Sequence, residues 1–276
     1  MNATAFARRL DTAWRRSGSL VCVGLDPSRE KLPGRFAGSS TPLLDFCRAI
    51  VDATHDLVCA YKPQFAYFAA AGAEAQLAAL IAHIRARCPD VPVILDAKRG
   101  DIGSTAEMYA AEAFDRYGAD AVTVNPYMGG DTLAPFLARH GRGVVVLCRT
   151  SNPGAAEFQG LVCDGEPLYM RVARKAAGEW NRAGNVALVV GATAPEELAA
   201  VRRACPDLTL LVPGVGAQGG DVDAVVRSGI RADGYGLVIN SSRAIIHAAS
   251  DNTFAEAARA AAIELRDRIN RARKKK

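Results

Sequence analysis

No run of eighteen apolar residues occurs in this 276-residue chain, so no membrane-spanning helix is expected. The N-terminus lacks the apolar core of a secretion signal. Ala3 to Arg16 instead interleaves Arg8, Arg9, Arg15 and Arg16 with Phe6, Leu10 and Trp14, the pattern of an amphipathic helix. No C-x-x-C pair is present either. The seven cysteines, at 22, 47, 59, 88, 148, 163 and 205, are odd in number, scattered and mostly set in apolar runs. That pattern argues against a disulfide framework and for reduced thiols in a cytoplasmic protein. The four histidines (55, 83, 140 and 247) show no ligand spacing, so no metal site is expected. Charge is also modest. The net charge of +5 owes part to the tail Arg271–Lys276, which reads as a solvated, frayed end rather than a nucleic-acid arm.

What is present is an ordinary globular composition, 50% hydrophobic and 23% charged, arranged as an alternation of short β-branched runs and helical segments. The runs are Leu20–Asp26, Val58–Pro63, Val93–Leu95, Ala121–Asn125, Gly143–Arg149, Val186–Val190, Thr209–Val212 and Gly236–Asn240. Helices are expected near 42–57, 69–87, 104–117, 130–139, 168–183, 195–204 and 221–228, with a last one over 253–272. Eight such units over roughly 250 residues predict a single-domain (β/α)8 TIM barrel spanning 1–276 with an additional N-terminal helix. A doubly wound open sheet would carry a G-x-G-x-x-G after its first strand, and Val23-Gly24-Leu25-Asp26-Pro27 has none.

In a barrel of this kind the strands deliver functional groups at their C-terminal ends. Here those ends carry Asp26, Lys62, Asp96 and Lys98, Asn125, and Arg149-Thr150-Ser151-Asn152. The third is the richest. Asp96 and Lys98 lie two apart, hence on one face of a strand. Asp101 follows where Gly100 lets the chain turn, and Ser104 and Glu107 read as an S-x-x-E capping box opening a helix. After the seventh strand comes the loop Pro213-Gly214-Val215-Gly216-Ala217-Gln218-Gly219-Gly220-Asp221, and the eighth ends in Asn240-Ser241-Ser242-Arg243. Loops at these two positions suit phosphate, through backbone N–H groups, a helix start and the permanently charged guanidinium of Arg243.

Asp96-Ala97-Lys98-Arg99-Gly100-Asp101-Ile102 resembles the D-x-K-x-x-D-I motif of orotidine 5′-phosphate decarboxylases. The Gly214–Asp221 loop and the Asn-Ser-Ser-Arg segment are similar to theirs, and the likeness runs from Gly24-Leu25-Asp26 to Arg243. Val23–Pro27, Tyr61-Lys62-Pro63-Gln64 and Arg149–Asn152 resemble the longer bacterial branch (type 2), with long loops at Pro27–Thr41 and Asn152–Pro167. The resemblance implies metal- and cofactor-free decarboxylation of orotidylate to uridylate, the last step of UMP synthesis, in a cytoplasmic homodimer with shared active sites. By it Lys98 is the proton donor, and Lys62, Asp96 and Asp101 complete an alternating charge network. Asp101 and Thr105 reach into the partner's site. Asp26 binds ribose, Ser151 the pyrimidine, and Gln218 and Arg243 the phosphate.

Chemistry supports a lysine in that role. Loss of CO2 from C6 leaves a carbanion in the ring plane, where no π-system absorbs it, and the sequence offers no evident site for an electron-sink cofactor. A fixed ammonium can stabilise that charge and then protonate the carbon. Flanking carboxylates favour the charged form of Lys98, which argues against a Schiff-base aldolase, whose lysine must become neutral. Repulsion of the substrate carboxylate, ~4 kcal/mol for one pair at an effective dielectric near 20, falls short of the ~20 kcal/mol that the slowest reactions require. Two other readings are a Mg²⁺-dependent decarboxylase or aldolase of keto-sugar phosphates in the same superfamily, and a non-catalytic phosphate-ligand barrel.

Overall fold

A computed structural model describes residues 4–215 and 220–275. Eight parallel strands carry the fold: β1 (Val21–Leu25), β2 (Ala60–Pro63), β3 (Ile94–Arg99), β4 (Ala121–Val124), β5 (Gly143–Arg149), β6 (Val186–Val190), β7 (Thr209–Val212) and β8 (Leu237–Ser241). Their order around the sheet is 2-1-8-7-6-5-4-3. Bridges Tyr61↔Val93 and Gln64↔Asp96 join β2 to β3, so the sheet closes on itself as a TIM barrel. Strands covered by helices outside and side chains inside are buried on both faces, which is why they read as continuous apolar runs. All five residues of β6 are buried.

The N-terminal helix α1 (Ala5–Ser17) closes one end of the barrel. Thr4 caps it, accepting from Ala7 N at 3.2 Å. Its buried residues Phe6, Leu10, Ala13 and Trp14 recur at helical spacing. Trp14 Nε1 donates to Leu237 O at the start of β8 (3.0 Å), and Arg9 pairs with buried Asp120 just before β4 (2.6 Å). Each large apolar side chain so buried contributes about 2 kcal/mol. With this end plugged, ligand access is left to the C-terminal ends of the strands.

Helices α2 (Pro42–Thr54), α3 (Glu74–Arg87), α4 (Gly103–Ala111), α5 (Leu168–Ala177), α6 (Pro195–Ala204), α7 (Val222–Gly229) and α8 (Phe254–Arg273) form the outer layer. Several expected boundaries shift. The helix expected over 69–87 begins only at Glu74, and a separate short helix, Phe65–Ala69, precedes it, the two parted at Gly72 with φ +60°. The segment near 130–139 is only a 3₁₀ turn and one helical turn, and α5 stops at Ala177 rather than near 183. The capping box does not form. Asp101 Oδ1 accepts from Ile102 N at 2.8 Å, and Gly103 enters α4 with φ +51°. Ser104 therefore lies inside the first turn, exposed, where it caps nothing.

α8 runs through Arg273, burying Ala272 and setting the Arg273 guanidinium 4.9 Å from the Tyr235 ring. The long loop 152–167 carries a turn of helix, Ala155–Phe158, and a two-stranded hairpin of Val162–Cys163 with Glu166–Pro167. All seven cysteines are free thiols, six of them buried. Among the described residues no helix is long and apolar enough to cross a membrane.

Candidate active site

A cavity of about 490 Å³ opens at the C-terminal ends of the strands, and every strand contributes to its wall or rim. At its floor stands Asp96, buried on β3. Lys62 Nζ, buried on β2, donates to Asp96 Oδ2 at 2.7 Å, and Lys98 Nζ donates to Oδ1 at 2.7 Å. Gln64 Nε2 adds a bond to Oδ2 (3.1 Å), and Thr123 Oγ1, from β4, one to Oδ1 (2.9 Å). Both carboxylate oxygens thus accept from an ammonium and from one further donor.

Burial raises the pKa of Asp96, but the Lys62 and Lys98 ammoniums beside it outweigh that and hold it well below the usual carboxylate range. For Lys62 burial pushes the pKa down, while Asp96 and then Asp26 push it up, and the net result lies above an ordinary lysine. Lys62 is enclosed, whereas the Lys98 side chain is 48% exposed. Lys98 is therefore the member of the array that faces the cavity. Its backbone adopts φ +47°, a left-handed conformation that costs a non-glycine residue on the order of 1–3 kcal/mol and concentrates at functional sites.

Around this array the cavity is lined with groups suited to a polar ligand. Asp26 and Asn240 each present a buried Oδ1 with no hydrogen-bond partner among the described residues, and a buried acceptor left unpaired is costly unless a ligand satisfies it. Glycine makes the room for them. A Cβ on Gly24 would lie within 1.8 Å of Ser242 Oγ and 3.1 Å of Asn240 Oδ1. Ser151 is held on the rim where a Cβ on Gly191 would meet its backbone at 2.9 Å. Gln159, reaching back from the long loop, accepts from Thr150 N at 2.8 Å and fixes the segment before Ser151. Gly214 and Val215, after β7, and Arg243, after β8, also line the cavity. Asp221 caps α7, accepting from Asp223 N at 2.9 Å.

Asp26, Lys62, Asp96, Lys98, Ser151 and Arg243 therefore meet in one cavity. Gln218 lies outside the described residues. Asp101 and Thr105 do not line the cavity of their own chain, and Thr105 is exposed on α4. Two strand-end residues expected at the mouth are elsewhere. Asn125 accepts from Tyr127 N (3.0 Å) to shape the turn, and Arg149 ion-pairs with Glu197 on α6. Sequence reasoning missed Thr123 and Gln159, whose roles depend on partners one strand or nine residues away. It also missed what Arg99 does. Its guanidinium bonds Glu112 (2.7 Å) and lies over the rings of Phe65 and Tyr109 (4.3 and 4.6 Å), which locks α4 behind β3.

The chain matches the model of the orotidine 5′-phosphate decarboxylase / HUMPS family over residues 19–260. It belongs to that family. It is 60% identical over 265 residues to the orotidine 5′-phosphate decarboxylase of Dechloromonas aromatica, covering 96% of this chain and 98% of that one. With the same-named protein of Ralstonia pickettii it shares 59% over 268 residues, 97% of this chain and 99% of the relative. Among solved structures it resembles the OMP decarboxylase of Leishmania donovani with a TM-score of 0.85 at 43% identity, covering 97% and 98% of the two chains. Family membership and the closed barrel agree with the expectation drawn from the D-x-K-x-x-D-I stretch.

Proposed function

We propose that this chain decarboxylates orotidine 5′-monophosphate to uridine 5′-monophosphate and CO2, without metal or cofactor. The observation that carries this reading is the buried Lys62–Asp96–Lys98 array, with 2.7 Å contacts on both sides of one carboxylate and its exposed ammonium turned to the cavity. In this reading Arg243 and the loop after β7, including Gln218, hold the phosphate. Asp26 and Asn240 accept from the ribose hydroxyls, and Ser151 meets the pyrimidine. The C6–carboxylate bond then breaks, its electron pair stays on C6, and a proton moves from Lys98 Nζ to that carbon. Solvent reprotonates the lysine.

The array is preorganised for that step. Asp96 has no vacant oxygen and cannot turn, so Lys98 is fixed before substrate arrives, and its charge is spent on the transition state rather than on reorganisation. The same occupancy disfavours the Mg²⁺-dependent alternative. A magnesium ion needs carboxylate oxygens, and both on Asp96 are engaged by ammoniums, leaving Asp26, among the described residues, as the one acidic side chain of the cavity wall not already paired.

The working form is a homodimer in which Asp101 and Thr105 complete the partner's site. Ile102, Met108, Tyr127 and Met128 are exposed by 62, 66, 80 and 46%. Ile102, Thr105 and Met108 recur every third residue, and the Met128 methyl lies 3.8 Å from where a Cβ on Gly100 would be. An apolar patch surrounding a polar pair is what an interface leaves exposed on a single chain. We place the enzyme in the cytoplasm on its reduced thiols and biosynthetic reaction.

The test is turnover of orotidine 5′-monophosphate, followed by loss of the orotate absorbance, with EDTA-treated wild type beside Lys98→Ala. Turnover by wild type alone is expected. No turnover by folded wild type refutes the reaction, and activity in Lys98→Ala refutes the proton donor. For the shared site, mixing inactive Lys98→Ala and Asp101→Ala subunits should restore activity to hybrids, and no gain on mixing would remove Asp101 from the partner's cavity.

A further inference from the structure

We infer that Thr123 is a positioning residue for the decarboxylation, acting through both Asp96 and the backbone that carries Lys98. This rests on the reading of the Lys62–Asp96–Lys98 array given above. The starting point is the pairing of β3 with β4. Leu95 pairs with Val122 and Arg99 pairs with Val124, and the register breaks between them. Three residues of β3 (Asp96, Ala97 and Lys98) therefore face a single residue of β4, which is Thr123. A bulge of this kind removes backbone N–H groups from the ladder, and at a buried position those donors need another acceptor.

Thr123 supplies it. Its side-chain oxygen accepts from Ala97 N at 3.1 Å and from Lys98 N at 2.9 Å. A hydroxyl has two lone pairs and one proton. With both lone pairs taken, the proton is left for the third neighbour, Asp96 Oδ1, at 2.9 Å. The residue is 1% exposed, so water has little access to any of the three groups. One oxygen thereby fixes the rotation of the catalytic carboxylate and stabilises the left-handed turn at Lys98, φ +47°. That turn folds the lysine back, so Nζ reaches the same Oδ1 from two residues away.

Although Thr123 borders the cavity, its hydroxyl is fully committed and offers substrate neither a donor nor a free acceptor. Its effect is therefore on the chemical step rather than on binding. Valine keeps the shape and removes the oxygen. It strips Asp96 of one donor and leaves the Ala97 and Lys98 amides unpaired, freeing the bulge to relax and Lys98 to move. Misplacement of a reacting group by about 1 Å costs on the order of 100-fold.

The experiment compares wild type, Thr123→Val, Thr123→Ser and Lys98→Ala in steady-state decarboxylation and in exchange of the C6 proton of uridine 5′-monophosphate with D2O, followed by NMR. Exchange reports on the lysine at C6 with no carboxylate present. Thr123→Val should lose about 100-fold in kcat with KM within about threefold, and exchange should slow by a similar factor. Thr123→Ser, which keeps the oxygen and drops the methyl, should recover to within about fivefold of wild type. Thr123→Val with kcat within threefold of wild type overturns the inference, as does Thr123→Ser no better than Thr123→Val. If the valine variant does not fold, Thr123→Ala against Thr123→Ser carries the same comparison, and equal loss in both refutes it. Turnover surviving in Lys98→Ala would instead refute the underlying reading of the array.

Discussion

Arg202 is the perturbation whose outcome the structure specifies most fully. It lies on α6 at the closed end of the barrel, 8% exposed, and among the described residues its guanidinium bonds only to main-chain carbonyls. Nε donates to Gly229 O (2.6 Å). Nη1 reaches Cys205 O (3.0 Å), Pro206 O (3.0 Å) and Leu208 O (2.7 Å), and Nη2 reaches Gly236 O (3.0 Å). One side chain so gathers the end of α6, the turn into β7, the end of α7 and the turn into β8. In Arg202→Met the stem and volume are largely kept while every donor is lost. Gly236 O retains a bond from Leu210 N, and Pro206 stands at an exposed turn. The carbonyls of Cys205, Leu208 and Gly229 are then left buried and unpaired, at about 1–3 kcal/mol each.

An opposing effect reduces this sum. Burial, with Arg231 nearby, lowers the Arg202 pKa from the ordinary arginine range to about 10, which corresponds to roughly 3 kcal/mol against the charged form, and methionine escapes that penalty. The net loss expected is about 3 kcal/mol, or a fall in Tm on the order of 6–10 °C for a chain of this size. Lysine, with three donors on a flexible stem, should recover only part of it. Urea unfolding at pH 7 measures the difference. Because the cavity lies at the other end of the strands, kcat/KM at 25 °C should stay within twofold of wild type. A methionine variant within 0.5 kcal/mol of wild type would show that the carbonyls find other partners, and the reasoning would be wrong.

Two further outcomes follow from the site. Asp96 has a folded pKa below its unfolded value, so its contribution to stability is complete above about pH 5 and lost as pH falls. Lys62, with a raised pKa, contributes fully below about pH 10 and loses that contribution as pH rises through the folded value. Urea midpoints should accordingly be flat in between, and between pH 5 and 3 wild type should lose more stability than Asp96→Asn. Equal slopes in the two proteins would contradict the assignment. Removing the Arg243 guanidinium, a charged donor of about 3 kcal/mol to a phosphate, should lower kcat/KM about 100-fold in Arg243→Ala. A value within threefold of wild type would place the phosphate elsewhere.

How far the sequence could be read depended on whether a feature repeats with the period of its element. The eight strands were visible because burial on both faces makes each a short apolar run. Asp96 and Lys98 could be placed on one face by counting two residues, and Lys62 by its position at the end of β2. Thr123 could not be found this way. Inside the run Ala121-Val122-Thr123-Val124 it looks like any β-branched strand residue, and its importance comes from a bulge in the neighbouring strand that leaves no mark in either sequence. Arg202 was hidden for the opposite reason: a charged residue in an amphipathic helix reads as surface, and the carbonyls it binds are contributed by glycine and turns. Ser104 and Glu107 have capping-box spacing, but the turn set by Asp101 and Gly103 starts the helix two residues too early, with Ile102 in place of Ser104 at the N-cap.

The charges in the cavity suggest why such a site would be divided between subunits. Lys62, Lys98 and Arg243 against Asp26 and Asp96 leave one chain's cavity with a net positive charge, which suits capture of a phosphate-bearing anion. On the proposed dimeric reading, the partner's Asp101 brings a further negative charge to the array and places a second carboxylate near the group that departs as CO2. Each such contact supplies only ~4 kcal/mol at 4 Å in an environment of effective dielectric 20, so repulsion of the leaving carboxylate is the smaller part of the barrier reduction. The larger part has to come from holding Lys98 still while charge develops at C6. That favours binding the ammonium from several directions at once. Asp96 anchors Nζ, Lys62 and Gln64 keep Asp96 from turning, and the Thr123 hydroxyl fixes the backbone beneath them.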